Sequence, residues 1–379
     1  MAGCGGGGGS ADTVSGIAAP APSELSAAAE LGKAIFADTS LSEPGGMSCQ
    51  TCHQPDKGHA TNDVVQTGVV TGHAGTRNAP SIGYLKYSPN FAYTDDGPTG
   101  GFFRDGRAMT FTAQAREPFV NPDEMANPDA ASVVAKVKAA AYADRFKAVW
   151  GSGVFDDVQN AYDKITVSLA AYEREEAGFA PFTSKFDYWR SGKASLTDRE
   201  LQGLALFNDP QKGNCAACHP STGPDARTPP LFTDFTYDNL GLPRNPAIPA
   251  NADPDYFDLG LCGPVRTDIS DPTLCGAFKV PTLRNIALTA PYFHNGVIAT
   301  LRDVVRFYVT RDTSPELWYP VGAGGEVRKY DDLPARYHGN VNVTEVPYDR
   351  PLGGTPALDD DEIDQVVEFL RTLTDGYQP

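Results

Sequence analysis

Cys49-Gln50-Thr51-Cys52-His53 and Cys215-Ala216-Ala217-Cys218-His219 are two copies of one pattern, Cys-x-x-Cys-His. It is the attachment signature of a c-type haem: two thiols close thioethers on the vinyl groups, and the adjacent His becomes the proximal iron ligand. At the Cys and His content of this chain the pattern is expected roughly 0.002 times by chance, so two copies predict two covalent haems. A zinc reading would need further ligands beside each motif. His59 and His73 flank the first, but nothing comparable flanks the second. A thioredoxin-type redox pair lacks its βαβ context here and would not require the His twice.

The other three of the seven Cys fall apart from these motifs. Cys262 and Cys275 lie in a stretch rich in Pro, Asp and Gly. Since c-haem is assembled outside the cytoplasm, where disulfides persist, a bridge closing this loop is expected, with two buried thiols as the alternative. Met1-Ala2-Gly3-Cys4, followed by a run of Gly, is similar to the end of a bacterial lipoprotein signal without its hydrophobic stretch. Residues 1–22 then read as a flexible tether with a lipid anchor at Cys4.

Outward from the haem motifs, the chain divides in two. Gly32-Lys33-Ala34-Ile35-Phe36 and Gly203-Leu204-Ala205-Leu206-Phe207 end a helical pattern before each motif, and Thr197 with Glu200 opens the second as a capping box. Apolar residues at helical spacing follow at Val158, Ala161, Tyr162, Ile165, Leu169 and Tyr172, and again at Ile363, Val366, Val367, Leu370 and Leu373, the latter behind Asp359 as N-cap. Each half therefore reads as helix, haem motif, long loops and closing helix, the order of a cytochrome c domain. The predicted fold is mostly α, with a peroxidatic haem domain over 23–175 and an electron-transfer haem domain over 185–376, joined by a linker containing Gly178, Pro181 and Ser184. The 38 Gly and 31 Pro among 379 residues account for the loops. No apolar run reaches the about 18 residues a membrane span needs. A net charge of −17 excludes nucleic acid as partner and leaves the membrane accessible only through Cys4.

Beyond the haem motifs, the chain carries Arg77-Asn78-Ala79-Pro80-Ser81, Asp105-Gly106-Arg107-Ala108, Gln114 through Glu124-Met125, and the run Lys279-Val280-Pro281-Thr282-Leu283-Arg284-Asn285 to Ala290-Pro291-Tyr292-Phe293-His294-Asn295-Gly296. In that order these resemble the bacterial di-haem cytochrome c peroxidase and MauG family over nearly the whole chain after the tether. The resemblance implies that the first haem is the peroxide site and the second the electron-transfer haem. It places Gln114, Pro118 and Glu124 in the distal pocket, with Glu124 as acid/base; without it, Glu124 would read as one solvated carboxylate in a turn. It also implies a Ca²⁺ held by Asn78 and the backbone carbonyls of Thr289 and Pro291, oxygen ligands that suit this ion. Arg107, Lys279 and Arg284 are the expected partners of the haem propionates, since buried carboxylates need paired charge.

Peroxidases of this family place a Met opposite the second proximal His. The four Met here are Met1, Met47, Met109 and Met125, none after His219. The equivalent position is Tyr308, as in MauG-type enzymes, and a phenolate favours oxidised iron. His294 is the rival ligand, although the family keeps it near the haem and not on iron. The family's Trp before Asp-Gly-Arg is Arg104 here, while Trp150, Trp189 and Trp318 lie elsewhere. Charge is then expected to pass between haems through propionates, Phe103 or another aromatic. His59 or His73 is a candidate cap for the first haem, and His338 is expected at the surface.

The reading these features favour is a periplasmic enzyme of a Gram-negative bacterium, similar to MauG, in which hydrogen peroxide generates a high-valent di-haem state that oxidises a Trp or Tyr of a partner protein. One alternative is a cytochrome c peroxidase fed by a small cytochrome or cupredoxin. A second is a non-enzymatic di-haem electron carrier, against which Glu124 and Gln114 argue.

Overall fold

The computed structural model describes residues 24–95, 97–225 and 227–379; Cys4 and the expected tether lie outside them. The first half runs α1 (Ala27–Ala37), α2 (Cys49–Cys52), α3 (Phe111–Gln114), α4 (Glu117–Val120), α5 (Ala130–Ala139), α6 (Ala143–Trp150) and α7 (Val158–Glu175). The second runs α8 (Lys185–Arg190), α9 (Asp198–Asn208), α10 (Leu301–Thr310) and α11 (Asp360–Arg371). Among the described residues, sheet amounts to two antiparallel pairs: β1 (Ala92–Thr94) with β2 (Gly97–Thr99), and β3 (Tyr237–Asp238) with β4 (Phe278–Lys279). The fold is mostly helical, as expected.

Local chemistry explains where these helices begin. Ser26 and Asp157 cap α1 and α7 through their side chains, and α9 and α11 open with the expected capping boxes, Thr197 with Glu200 and Asp359 with Glu362. Each cap of this kind contributes about 1 kcal/mol. The same packing device then appears in both halves. Gly32 of α1 lies so close to α7 that a Cβ would collide with the Ser168 carbonyl, and Gly203 of α9 meets the Gln365 carbonyl of α11 in the same way. Four residues on, Phe36 and Phe207 are buried beside that crossing.

Two apolar cores result. Leu31, Ile35, Phe36, Val133, Phe146, Ile165 and Leu169 fill the first; Phe186, Phe207, Phe232, Val305, Val366 and Phe369 fill the second. Burying one such side chain contributes about 1.5–3 kcal/mol. The segment between the halves is ordered by the first core, since Phe179 is buried with its ring 5.9 Å from Phe36 and 5.3 Å from Tyr172.

Polar contacts join the halves. Arg77 grips Asp258 through Nε at 2.5 Å and Nη2 at 2.7 Å, while its Nη1 reaches Asp105 at 2.7 Å. Burial would raise the carboxyl pKa of Asp258, but Arg77 overcomes that and holds it below the usual range. Cys262 and Cys275 form the expected disulfide, Cα to Cα 5.0 Å. From the loop it closes, the buried Arg266 returns to the first half and donates to the Asp105 carbonyl at 2.8 Å.

Candidate active site

Both haem-motif histidines are oriented by their own backbone surroundings. His53 follows α2 and its Nδ1 lies 3.1 Å from the His59 carbonyl; Nδ1 of His219 lies 2.8 Å from the Phe232 carbonyl. A carbonyl can only accept, so Nδ1 carries the proton and the Nε2 lone pair is free. Burial pushes the His53 pKa down to about 4 and lowers that of His219, keeping both imidazoles neutral. Burial likewise raises the thiol pKa values of Cys52, Cys215 and Cys218 to about 12 and that of Cys49 further. Among the described residues no three His, Cys, Asp or Glu gather as a metal cluster, so the zinc alternative finds no support there.

Both motifs open on one continuous cavity of about 730 Å³, which His53 and His219 both line. It is large enough for organic cofactors. Free Nε2 atoms, adjacent thiol pairs and a largely apolar wall such as Leu283, Val305 and Leu370 together fit covalent haem at both ends.

At the first end, α3, the Pro118 turn of α4 and the loop after it bring Gln114, Pro118 and Glu124 to the same wall. Glu124 Oε1 accepts from Asn121 Nδ2 at 2.8 Å. Burial raises its pKa above 4.5, only partly opposed by Arg107 and Asn121. A desolvated carboxyl of that kind can both take and return a proton. Neither candidate cap is here. His59 is turned away, with Nε2 3.0 Å from the Gly178 carbonyl and its ring 4.5 Å from Phe179, and the half-exposed His73 pairs with Asp123 at 3.0 Å. Neither lines the cavity.

At the second end α10 delivers Tyr308, buried among Phe293, Phe307 and Tyr348. Tyr308 lines the cavity, and its hydroxyl makes no hydrogen bond among the described residues. Burial and the nearby Asp238 hold the phenol pKa far above its usual value, so a cation would be needed to ionise it. No Met lines the cavity. Tyr348, whose ring lies 5.8 Å from Tyr308, lines the same wall and carries a second buried phenol. Sequence reading passed over Tyr348, because it sits in a Pro- and Asp-rich loop with no motif around it. His294 also lines the cavity but stacks on Phe278 at 3.6 Å, with Nε2 3.5 Å from Asp332 and no hydrogen bond formed. His338 is half-buried, not superficial as expected, because Nε2 bonds the Leu333 carbonyl at 2.9 Å.

The expected propionate partners separate. Lys279 is half-buried, its ammonium bonded to the Gly101 carbonyl at 2.5 Å and to Ser88 at 3.4 Å and lying 5.8 Å from the Phe102 ring. Burial lowers its pKa to about 8. Arg107 bonds Glu117 and Asp105 with two of its five donors, its guanidinium 3.5 Å over the Phe103 ring. Both therefore retain donors for a carboxylate at the cavity wall. Arg284 does not. Its guanidinium bonds Asp187, Ser184 and the Pro230 carbonyl. Arg284 still lines the cavity, as does a cation the sequence reading left without this role, Arg104.

Among the residues expected to hold calcium, Asn78 is engaged within the protein. Asn78, Thr289 and Pro291 do reach the cavity wall, but Asn78 Oδ1 accepts from Arg104 Nη2 at 2.6 Å and the Asn78 carbonyl from Arg104 Nε at 2.8 Å. With a guanidinium on both oxygens, these residues do not fit a Ca²⁺ site.

The family model described as di-haem cytochrome c peroxidase matches residues 26–195. The methylamine utilization protein MauG of Paracoccus denitrificans is 36% identical over 93% of this chain and 90% of the relative. Cytochrome c551 peroxidase of Nitrosomonas europaea is 37% identical over 73% of this chain and 71% of its own length. Among solved structures, the diheme peroxidase BthA of Burkholderia thailandensis superposes with a TM-score of 0.84 at 40% identity, covering 92% of this chain and 86% of that one. The chain belongs to the di-haem cytochrome c peroxidase and MauG family. It is a haem-dependent oxidoreductase acting with hydrogen peroxide, and membership implies two c-type haems.

Proposed function

We propose that this protein is a MauG-like enzyme that couples peroxide reduction to oxidation of a Trp or Tyr side chain on a partner protein. The observation that carries this reading is Tyr308, a buried phenol that lines the same cavity as His219, where no Met is present among the described residues. Bound through Cys49 and Cys52 and through Cys215 and Cys218, the haems would supply iron that reacts with peroxide and holds oxidising equivalents. The protein's part is then to position and to move protons. His53 and His219, fixed by the His59 and Phe232 carbonyls, present Nε2 as ligands. Glu124 takes a proton from the inner peroxide oxygen and returns it to the outer one, and Gln114 and Pro118 confine the substrate beside it. Reduction of one H₂O₂ to two waters consumes two protons and two electrons, the electrons coming finally from the partner side chain. Lys279 and Arg107 would hold the propionates.

Covalent haem attachment and the Cys262–Cys275 bridge support a periplasmic location, and the net charge of −17 supports a basic docking face on the partner. A peroxidase fed by a small redox protein is the second reading, favoured by the similarity to the diheme peroxidase BthA. Stoichiometric peroxide added to the fully oxidised holoprotein separates the two. We expect a persistent state oxidised by two electrons, seen in EPR and Mössbauer spectra without prior reduction; a reaction that starts only after one haem is reduced would overturn the MauG-like reading.

A further inference from the structure

We infer that the guanidinium of Arg104 replaces a divalent cation between the two halves, so that this enzyme carries its inter-domain positive charge covalently and binds no Ca²⁺ there. Asn78 is the centre of the argument, and every polar group it has is committed. Its backbone N–H donates to the His294 carbonyl at 2.8 Å, its Nδ2 to the Asp63 carbonyl at 3.0 Å, and its two oxygens accept from Arg104. The amide cannot be flipped without aiming NH₂ at the guanidinium and a carbonyl at a carbonyl, so Oδ1 is held toward Arg104. The Arg104 backbone carbonyl meanwhile accepts from Lys279 N–H of β4 at 2.8 Å. One residue thus ties the Asn78 segment of the first half to the second.

Charge points the same way. Arg104 has no carboxylate at ion-pair distance among the described residues, and burial together with repulsion from Arg77 lowers its pKa to about 10. The nearby carboxylates of Asp105 and Asp258 are taken by Arg77 and Arg107. The Thr289 and Pro291 carbonyls take no donor among the described residues, but they are all that remains of the expected set. Ca²⁺ needs 6–8 oxygens. Water can complete such a shell, but with both Asn78 oxygens held by the guanidinium only two neutral carbonyls of the set remain, and a double charge beside Arg104, which has no carboxylate partner among the described residues, would be repelled.

The inference is independent of whether the enzyme is a MauG-like oxidase or a peroxidase, and metal content tests it directly. Holoprotein dialysed first against excess Ca²⁺ and then against metal-free buffer is expected to hold no stoichiometric Ca²⁺ by elemental analysis. EGTA should leave its visible spectrum unchanged and shift its melting temperature by less than about 1 °C. One Ca²⁺ per chain, or a spectral change with EGTA, overturns the inference. Arg104→Gln, which removes the charge and frees at least one Asn78 oxygen, is expected to take up one Ca²⁺ per chain in calorimetric titration, reversed by EGTA. A folded Arg104→Gln protein that binds none would show that the guanidinium does not stand in a cation's place. The wild-type measurement stands whether or not the variant folds.

Discussion

Glu124 is a carboxyl group placed where a charge is costly, and its pH behaviour follows from that. Burial raises its pKa above 4.5, so the basic form that starts the proton transfer grows in only as the pH climbs through that raised value. The second-order rate of reaction with peroxide is therefore expected to fall as the pH drops through it. Glu124→Gln keeps the shape, removes the titration, and is expected to lower the rate by about 10²–10⁴-fold; a stopped-flow pH series on both proteins measures this. Tyr308 works by the opposite logic. Its buried phenol stays neutral unless a cation such as ferric iron compensates the charge. Tyr308→Ala is expected to change the low-spin EPR signal of one haem and leave the other unaltered. Tyr348, with its ring 5.8 Å away, provides the control: an effect confined to Tyr348→Phe would transfer the ligand role to it.

Helix α7 holds a carboxyl that the chemistry does not use. Glu173 is buried with Oε2 unbonded, and burial raises its pKa to about 8, slightly relieved by Arg174. Between pH 4.5 and about 8 the folded protein therefore binds a proton that the unfolded chain has lost. Stability must then fall as the pH rises across that window, by on the order of 5 kcal/mol. Glu173→Gln removes this slope, so the variant gains relative to wild type at pH 8 and not at pH 5, which denaturant titrations at the two pH values would show. The helices themselves were legible where caps and spacing agree, as at Thr197 with Glu200 or Asp359 with Glu362. Helices α5 and α6 were not read in advance. Their apolar residues, Val133, Val134 and Val137 then Phe146, are few and interrupted by Ala and Lys, and burial against α7 and the first core supplies what local pattern does not.

Across the whole molecule, the loop between Cys262 and Cys275 acts as a clamp more than a tether. It carries Arg266, whose guanidinium is buried against Phe91 at 4.0 Å and bonded to the Asp105 carbonyl. Replacing both Cys by Ser is expected to cost about 3 kcal/mol, from the entropy of a loop of this length. Because Arg266 reaches the first half, the loss should appear in both haem environments when unfolding is followed by Soret absorbance; a transition confined to the second haem would show that the clamp is local.

What the sequence determined by itself is the chemistry written in short, contiguous patterns: two haem attachment sites, a helix before and a closing helix after each, one disulfide, and a Tyr where a Met was absent. Those follow from covalent spacing and local periodicity, which neighbouring residues carry. What only the tertiary structure decided is how buried charges are paired. Arg104 could be read as a missing Trp, and Asn78 as a metal ligand, until the fold put one on the other; Arg284 could be read as a propionate partner until Asp187 was found against it. A buried ion's role depends on which groups remain unpaired around it once the chain has closed, and those groups come from segments that lie far apart in sequence.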